Sequence, residues 1–407
     1  MNSGILVINC GSSSLKFALI DTVSKQEVLS GLAEKLGMAD SRITFKHGPT
    51  PRRSYRQPGE KDTAALAGGT HAAAMDAIIE RLREEGLLDS VKAVGHRVVH
   101  GGEVFKATAM ITDAVLAQIE KCSKLAPLHN PANLLGIRTA MQQFGDLPQV
   151  AVFDTSFHQT MPEHAYLYAL PMSLYRDHGV RRYGFHGTSY RYITSKAAEL
   201  LGKPLEETAF VCAHLGNGAS ATAIKGGVSV DTTMGLTPLE GSVMGTRSGD
   251  IDPGIIGYLA SELNLDIAGV MDILNKKSGL LGVSELSSDC RELQEAAAAG
   301  NHAATLALDI FSYRLAKHIA ALTVGLGRLD ALLLTGGIGE NSAYVRANVI
   351  KRLGFLGLTL DEAANQECTR GKTGRITVEG SVPALVISTD EEMMIAMDTA
   401  KLAGLID

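Results

Sequence analysis

A short run of hydroxyl and amide residues near the start of the chain could bind phosphate. Residues 5–8 are an apolar stretch typical of a buried strand, and residues 9–14 suit a tight turn leading into a second, alternating strand. Such a turn directs backbone N–H groups, the hydroxyls of Ser12 and Ser14 and the Lys16 ammonium toward one point, which suits a phosphate or a metal-bound phosphate. The Walker A pattern is absent and no helix follows directly. A serine-rich hairpin turn without a ligand explains the same residues equally well.

Two further segments place glycines directly after an apolar strand. Residues 214–220 read His-Leu-Gly-Asn-Gly-Ala-Ser, and residues 335–341 read Thr-Gly-Gly-Ile-Gly-Glu-Asn, with a glycine loop predicted at 336–341. Glycines at the carboxyl end of a buried strand lie where open α/β sheets bind ligands, although an ordinary hairpin turn also accounts for 214–220. The second segment lacks the third glycine of a dinucleotide fingerprint, which disfavours a Rossmann site. The strand–turn–strand pattern around 9–16 recurs at 214–220 and indicates a duplicated architecture with phosphate held between its halves.

Three basic side chains stand in unusual local sequence. Arg97 lies among valines at a predicted strand end, Arg247 lies in a glycine-rich loop, and His186 directly precedes a predicted helix. A guanidinium binds carboxylate or phosphate through two parallel hydrogen bonds. A surface salt bridge is the competing interpretation for each arginine, and the glycines around Arg247 weaken it there. A hydrogen-bonded structural histidine is the competing interpretation for His186.

Acidic and imidazole groups complete the set of candidate residues. Asp154 follows a short apolar strand, and His129 lies between two prolines. Glu391 opens the last predicted helix. Local sequence alone favours a capping role there, with Thr389 or Asp390 as N-cap and Glu391 complementing the helix dipole.

Composition narrows the class of protein. A chain of 407 residues is too long for one ordinary core and indicates two or three domains. A net charge of −6 and an aromatic content of 5% argue against nucleic-acid binding. Five widely spaced cysteines without a Cys-x-x-Cys motif suggest reduced thiols in a cytoplasmic protein. No leader sequence is recognised and no apolar run reaches about 18 residues, so neither export nor a membrane partner is expected.

The alternation of apolar strands and helical patterns predicts an α/β protein. The pattern predicts helices at 70–85, 112–124, 131–144, 188–201, 301–327 and 391–402, and strands at 91–99, 150–153, 210–215 and 329–334. Residues 40–68 suggest an irregular excursion or a hairpin flap. A domain boundary is expected near residues 150–160, although no flexible linker marks it.

Taken together, these motifs resemble the acetate kinase family. Nine ordered segments carry the resemblance: 9–16, 95–102, 126–133, 153–158, 182–189, 214–220, 244–253, 336–342 and 389–392. The resemblance implies membership of the superfamily of acetate and sugar kinases, Hsp70 and actin. This fold has two related α/β domains of the ribonuclease H-like (actin-like ATPase) type, with the active site in the interdomain cleft. The expected domains are residues 1–153, rejoined by 391–407, and a nucleotide-binding domain of residues 154–390. The family is usually homodimeric.

The implied reaction is reversible phosphoryl transfer from ATP to acetate, which gives acetyl phosphate and ADP and uses Mg²⁺ or Mn²⁺. A carboxylate acceptor is already ionised at neutral pH and needs no strong general base. The difficulty is to bring one anion up to another, which demands cations and a positioned, dry site.

The resemblance also implies roles for individual residues. Asn9 and Glu391 position the metal, and Ser12, Ser14 and Lys16 meet the phosphates. Arg97 and Arg247 hold the acetate carboxylate and the transferring phosphoryl group, to which His186 donates a hydrogen bond with His129 nearby. Asp154 is the family's essential acid, and we expect it to orient an arginine, the metal or water.

Further residues are implied for the nucleotide and for the acetate methyl group. The residues expected to contact ATP are His214, Leu215, Gly216, Asn217, Gly218, Asp289, Cys290, Arg291, Gly337, Ile338, Gly339, Glu340 and Asn341. Val99 and Leu128 are expected to line a small pocket for the methyl group.

Two other functions fit parts of the same pattern. A propionate or butyrate kinase would use the same mechanism with a wider pocket, and one or two methylenes change binding by only about 1–3 kcal/mol. A non-catalytic nucleotide-binding module of the actin type would not need Arg97, Arg247, His186 and Asp154 together.

Overall fold

The chain divides into two compact units. A computed structural model describes residues 3–48, 59–127 and 129–406. Unit 1 comprises residues 1–156 and 390–407, and unit 2 comprises residues 157–389. The sequence-based boundaries were 153/154 and 390/391; the division in the structure keeps Asp154 in unit 1.

Strands and helices alternate along the described residues. The strands are β1 Gly4–Cys10, β2 Ser14–Asp21, β3 Gln26–Glu34, β4 Arg42–His47, β5 Lys61–Ala65, β6 Val91–Val98, β7 Ala109–Met110, β8 Gln149–Phe153, β9 Ala209–Leu215, β10 Ala219–Lys225, β11 Val228–Thr232, β12 Ala331–Thr335, β13 Gly374–Arg375 and β14 Ala384–Val386. The helices are α1 His71–Glu84, α2 Asp113–Cys122, α3 Asn130–Gln143, α4 Glu163–Tyr166, α5 Met172–His178, α6 Gly187–Leu201, α7 Gly254–Glu262, α8 Ile267–Lys276, α9 Gly279–Ser284, α10 Cys290–Ala298, α11 His302–Leu326, α12 Gly336–Asn341, α13 Ala343–Arg352, α14 Glu362–Glu367 and α15 Glu391–Leu402. Short 3-10 helices lie at Leu88–Ser90, Ser156–Thr160, Leu205–Glu207 and Gly354–Leu356.

Unit 1 is built on an eight-stranded sheet in the order β5-β4-β3-β2-β1-β6-β8-β7. Strand β1 pairs antiparallel with β2 and parallel with β6, and β6 pairs parallel with β8. Alternate residues of β1 face opposite layers: Leu6 and Ile8 share a core with α1 and α3, whereas Ile5 and Val7 share one with α15. Both faces of β1 are therefore buried, which explains its unbroken apolar sequence.

The sheet of unit 2 repeats this arrangement. Its order is β11-β10-β9-β12-β14-β13, with an antiparallel β9–β10 hairpin and parallel pairing of β9, β12 and β14. The run β11-β10-β9-β12-β14 corresponds strand for strand to β3-β2-β1-β6-β8 of unit 1. The duplicated α/β architecture predicted from the two turns is thus confirmed in the strand order.

Most predicted elements agree with the structure to within about two residues. Within 40–68, β4 and β5 pair antiparallel, as the hairpin interpretation required, and residues 49–58 lie outside the described residues. One element was wrong: residues 336–341 form the short helix α12 and not a loop. The Glu340 carboxylate accepts from the Gly336 N–H at 3.0 Å, which satisfies a first-turn donor despite the low helix propensity of glycine.

Two sequence-based expectations concern thiols and membranes. All five cysteines are buried free thiols, as expected for reduced cysteines. Among the described residues, no helix is both long enough and apolar enough to cross a bilayer.

Helix α15 packs closely on β6 because Gly95 has no side chain. A Cβ atom at Gly95 would lie 2.3 Å from Thr399 Oγ1 and 2.9 Å from Ile395 Cγ2. Distances this short force the helix or the strand to move. The packing at Gly95 thus sets the distance between α15 and β6 where Ile395 and Thr399 cross the strand.

We predict that Gly95→Ala lowers the free energy of unfolding by about 1–3 kcal/mol, because the methyl group overpacks the β6–α15 contact. Urea unfolding measures the change. Gly354→Ala is the matched control, since a Cβ there has no neighbour within 4 Å, and it should change stability by less than about 0.5 kcal/mol. Equal effects of the two substitutions would contradict the packing argument.

Candidate active site

A bidentate ion pair joins the ends of two parallel strands in unit 1. Arg97 lies near the carboxyl end of β6, and Asp154 follows the last residue of the neighbouring β8. Arg97 Nε donates to Asp154 Oδ1 at 3.0 Å, and Nη2 donates to Oδ2 at 2.6 Å. The Asp154 side chain is 2% exposed and that of Arg97 is 21% exposed. Burial lowers the pKa of Arg97, but Asp154 and Glu391 outweigh it and raise the pKa above its usual value.

Glu391 and Asn9 approach the same guanidinium. Glu391 Oε2 lies 3.8 Å from Arg97 Nε, and Arg97 Nη1 donates to Asn9 Oδ1 at 3.5 Å. Burial raises the pKa of Glu391 to about 7, and Asp154 adds to this effect while Arg97 opposes it. The N-cap of α15 is Asp390, whose side chain accepts from the Met393 N–H at 2.9 Å. Because Asp390 caps the helix, the Glu391 carboxylate is not used for capping.

The turn between β1 and β2 adds an ammonium group to this edge of the unit 1 sheet. Lys16 and Asn9 are cross-strand partners, and Lys16 Nζ forms an ion pair with Glu392. Burial lowers the pKa of Lys16, but Glu392 and Glu391 outweigh it and raise the pKa. In the turn, Ser12 is exposed and the Ser14 carbonyl accepts from the Gly11 N–H at 2.8 Å.

The residues expected around the acetate methyl group also lie in unit 1. Val99 is half-buried, and its N–H donates to Asn133 Oδ1 at 3.0 Å. Asn133 Nδ2 donates in turn to the Cys10 carbonyl at 2.7 Å, which links β1 to the segment after β6. His129 is the N-cap residue of α3. Leu128 lies outside the described residues.

Two histidines of unit 2 stack on one another. His186 is the N-cap residue of α6 and has left-handed backbone angles, φ 60° and ψ 19°, which are costly for a side chain other than glycine. The rings of His186 and His214 stack with centroids 4.4 Å apart and planes inclined by 21°. The Nδ1 atom of His186 lies 2.9 Å from Ser220 Oγ, and that of His214 lies 2.9 Å from Ser189 Oγ.

Arg247 approaches the same histidine pair from a glycine-rich loop. A Cβ atom placed on Gly218 would lie 3.4 Å from Arg247 Nη2 and 3.7 Å from His186 Nε2. Arg247 Nη1 donates to the Pro238 carbonyl at 2.7 Å, and burial lowers the pKa of Arg247. No carboxylate of the described residues forms an ion pair with it. A half-buried guanidinium beside an imidazole, without a carboxylate partner among the described residues, is suited to an anion.

A cavity of about 910 Å³ lies beside the β9–β10 turn in unit 2. Eight residues predicted to contact a nucleotide line it: Gly216, Asn217, Asp289, Cys290, Arg291, Gly337, Ile338 and Asn341. Asp289 also caps α10 and pairs with Arg291 at 2.7 Å. The volume is within the range of small-molecule sites, about 300–1,000 Å³.

Five other residues that were predicted to contact ATP do not line the cavity wall. They are His214, Leu215, Gly218, Gly339 and Glu340. Leu215 is buried, and Glu340 Oε1 accepts from the Thr389 N–H at 3.2 Å as well as from Gly336.

Five lining residues were not predicted from the sequence: Ser288, Gln294, Ser342, Thr369 and Arg370. Arg370 has φ 54°, and its N–H donates to Asn341 Oδ1 at 3.0 Å. No motif marks Thr369 or Arg370, but Ser288 and Ser342 adjoin predicted residues.

These features define a class of protein. Two α/β units of the same strand order, a cavity of nucleotide size beside a glycine turn and arginines at strand ends and in loops are typical of phosphotransferases with the actin-like ATPase fold.

The comparisons with known proteins identify the family. Residues 4–397 match the model of the acetokinase family. The acetate kinase of Chromobacterium violaceum is 65% identical over 405 residues, which is 100% of both chains. The crystal structure of Porphyromonas gingivalis acetate kinase matches with a TM-score of 0.91 and 44% identity, covering 98% of this chain and 99% of that one. A propionate kinase from Francisella tularensis matches with a TM-score of 0.91 and 44% identity, covering 97% and 98%. The chain belongs to the acetokinase family, and the predicted fold class is confirmed.

We predict that the same substitution affects stability much more at Arg97 than at Arg247. Arg97→Met leaves Asp154 as a buried anion without its partner and should lower the free energy of unfolding by about 3 kcal/mol. Arg247→Met removes a half-buried cation that has no ion pair among the described residues and should change the free energy of unfolding by less than about 1 kcal/mol. Urea unfolding of both variants at neutral pH tests this, and a larger loss in Arg247→Met would refute the assignment of Arg247 as an unpaired cation.

Proposed function

We propose that the protein is an acetate kinase that transfers the γ-phosphoryl group of ATP reversibly to acetate. The observation that carries the proposal is the half-buried Arg247 guanidinium, which has no carboxylate partner among the described residues and lies with His186 Nε2 beside Gly218. A fold without an anionic ligand would gain nothing from such a cation. The 65% identity to an acetate kinase over the whole chain supports the same conclusion.

The chemistry of the acceptor agrees with the hydrogen bonds that Asp154 makes. An acetate oxygen attacks the γ-phosphorus, the bond to the bridging oxygen breaks, and its electron pair remains on ADP. The acetate is already ionised, so no proton has to be removed. Asp154 is suited to orienting Arg97, since both of its carboxylate oxygens accept from that guanidinium. Its role in the proposal is therefore orientation and not general-base catalysis.

The remaining groups of the proposal stabilise negative charge. Arg97 and Arg247 hold the acetate carboxylate and the transferring phosphoryl group, and His186 donates from Nε2. In a loose transition state the charge is spread over three equatorial oxygens, which several fixed donors can share. His129 and Val99 complete the acetate side.

Mg²⁺, or Mn²⁺, is the metal of the proposal. Asn9 and Glu391 offer amide and carboxylate oxygens, which are ligands that hard divalent cations accept. A cation beside Glu391 would also favour the ionised form of a carboxyl group whose pKa burial has raised to about 7. When bound, the metal would neutralise charge on the β- and γ-phosphates. Asn9 and Glu391 would hold it, and Lys16, Ser12 and Ser14 would contact the phosphates.

ATP and ADP are assigned to the cavity of unit 2. The adenosine would lie near Asp289 and Arg291, and the phosphates near Gly216 and Asn217. The turn residues expose backbone N–H groups, which phosphates accept readily.

A homodimer and a cytoplasmic location belong to the same proposal. Helix α7 is rich in apolar residues, yet none of its residues is buried, and Ile255 and Tyr258 are exposed. An apolar helix of this kind is suited to being covered by a second copy of the chain. Sedimentation equilibrium at several concentrations tests the dimer, and a monomer at all of them would refute it.

The free thiols of all five cysteines suit a reducing compartment.

Propionate kinase is the second candidate because the propionate and acetate kinase structures match equally well, each with a TM-score of 0.91 and 44% identity. The two activities differ by one methylene in the acceptor, and such a difference changes binding by about 1–3 kcal/mol.

We predict that the purified protein forms acetyl hydroxamate from acetate, ATP, Mg²⁺ and hydroxylamine, with kcat/KM for acetate above those for propionate and butyrate by roughly 10-fold or more. Arg247→Met, which leaves the fold intact by the argument above, is the inactive control. Absence of acetyl phosphate would refute the kinase and favour a non-catalytic nucleotide-binding module. A higher kcat/KM for propionate than for acetate would change the assigned substrate to propionate and leave the proposed mechanism unchanged.

A further inference from the structure

The stacked histidines of unit 2 are held by two crossed serine contacts. Ser220 is the cross-strand partner of His214 in the β9–β10 hairpin, yet its hydroxyl contacts His186. Ser189 lies in the first turn of α6, which His186 caps, yet its hydroxyl contacts His214. Each serine thus belongs to the element of one histidine and binds the ring of the other.

Each of these hydroxyls is buried and has a second hydroxyl partner. Ser189 and Ser220 are both fully buried. Ser220 Oγ also contacts the Tyr190 hydroxyl, and Ser189 Oγ lies 2.8 Å from Thr389 Oγ1. A buried hydroxyl held from two sides has little freedom to rotate, so it fixes the direction of the hydrogen bond that it makes.

The network around Ser220 leaves its hydroxyl able to donate to His186. Thr232 Oγ1 donates to the Ala221 carbonyl at 3.1 Å, which leaves Thr222 to donate to Thr232 across 2.8 Å. The Tyr190 hydroxyl contacts both Ser220 and Thr222. When Tyr190 donates to Ser220 Oγ, the Ser220 O–H is available for Nδ1 of His186, and the inference rests on this arrangement. A neutral imidazole that accepts at Nδ1 carries its proton on Nε2.

The proton on Nε2 is on the side of the proposed anion site. Nε2 of His186 is the atom that faces Gly218, together with the two terminal nitrogens of Arg247. A hydrogen bond from Nε2–H to a phosphoryl oxygen needs both this tautomer and this ring orientation. The other tautomer would present a lone pair to a negatively charged group.

We propose that Ser220 is a positioning residue for the reaction, and that with Ser189 it locks the stacked His186–His214 pair so that His186 presents Nε2–H to the transferring group. The expected effect of Ser220 on turnover rests on the proposed function. The fixed orientation of the two histidine rings, which we call the lock, is a property of the ligand-free protein. His186 remains the group that contacts the substrate, and the serines act through the histidine rings.

The first test reads the tautomer directly. Long-range proton–nitrogen NMR spectra of histidine-labelled protein, recorded above the usual imidazole pKa of about 6.5, distinguish Nε2–H from Nδ1–H, and His186→Gln assigns the signal. We expect the Nε2–H form in the natural protein and a mixed or Nδ1–H form in Ser220→Ala. An Nδ1–H form in the natural protein, or an unchanged tautomer in Ser220→Ala, would overturn the lock.

The second test separates positioning from stability. Ser220→Ala should lower kcat roughly 10- to 1,000-fold while the KM values for ATP and acetate change less than about threefold, because only the transition state uses the oriented donor. Ser220→Thr, which keeps the hydroxyl, should recover most of the loss. Ser312→Ala is the control for removing a fully buried serine hydroxyl, since Ser312 Oγ has no hydrogen-bond partner in the part of the chain that the structure describes.

The outcomes distinguish this inference from the proposed function. A natural protein without kinase activity refutes the function, and the NMR result still decides whether the lock exists. An active enzyme in which Ser220→Ala alters the tautomer but keeps normal kcat overturns the positioning role alone. Equal losses in Ser220→Ala and Ser312→Ala, in step with lower melting temperatures, overturn it as well.

Discussion

The cost of burying a positive charge without a partner is the constraint on which the site depends. Arg97 meets this cost inside unit 1 through its bidentate pair with Asp154. Arg247 has only carbonyl and thioether contacts among the described residues, and burial lowers its pKa. Stability therefore favours an anion beside Arg247. In the proposed mechanism the protein itself pairs Arg97, whereas the substrate anion pairs Arg247, which suits a reaction that brings two anions together.

The duplicated sheet explains why the chemistry appears at corresponding places in the two units. In each unit the antiparallel hairpin comes before the parallel strands in the sequence. The second cross-strand pair from the hairpin turn carries the candidate functional groups. This pair is Asn9 with Lys16 in unit 1 and His214 with Ser220 in unit 2. Strand ends with fixed backbone hold side chains more rigidly than loops do. In the proposed mechanism this place in the fold supplies metal and phosphate ligands in unit 1, and it carries a stacked imidazole in unit 2.

The sequence predicted what depends on local chemistry and missed what depends on pairing across the fold. Helix starts were predictable because Thr70, Thr112 and Asn301 cap their own helices. Arg97 and Asp154 were both candidates, but their pairing needs β6 beside β8, which no local pattern reveals. Arg370 and the crossed serines were missed because ordinary side chains gain their role only from distant neighbours. The α12 helix was missed because Glu340, not glycine propensity, stabilises its first turn.

The transferring anion is proposed to occupy the space beside Arg247 and His186, and Gly218→Ala places a methyl group there. The new methyl group would lie 3.4 Å from Arg247 Nη2, an ordinary contact distance, and Gly218 does not need a left-handed backbone. We expect an unfolding free energy within about 0.5 kcal/mol of the natural protein and a kcat for acetyl phosphate formation lower by at least about 100-fold. Normal turnover in a stably folded Gly218→Ala protein would show that the anion does not occupy this space.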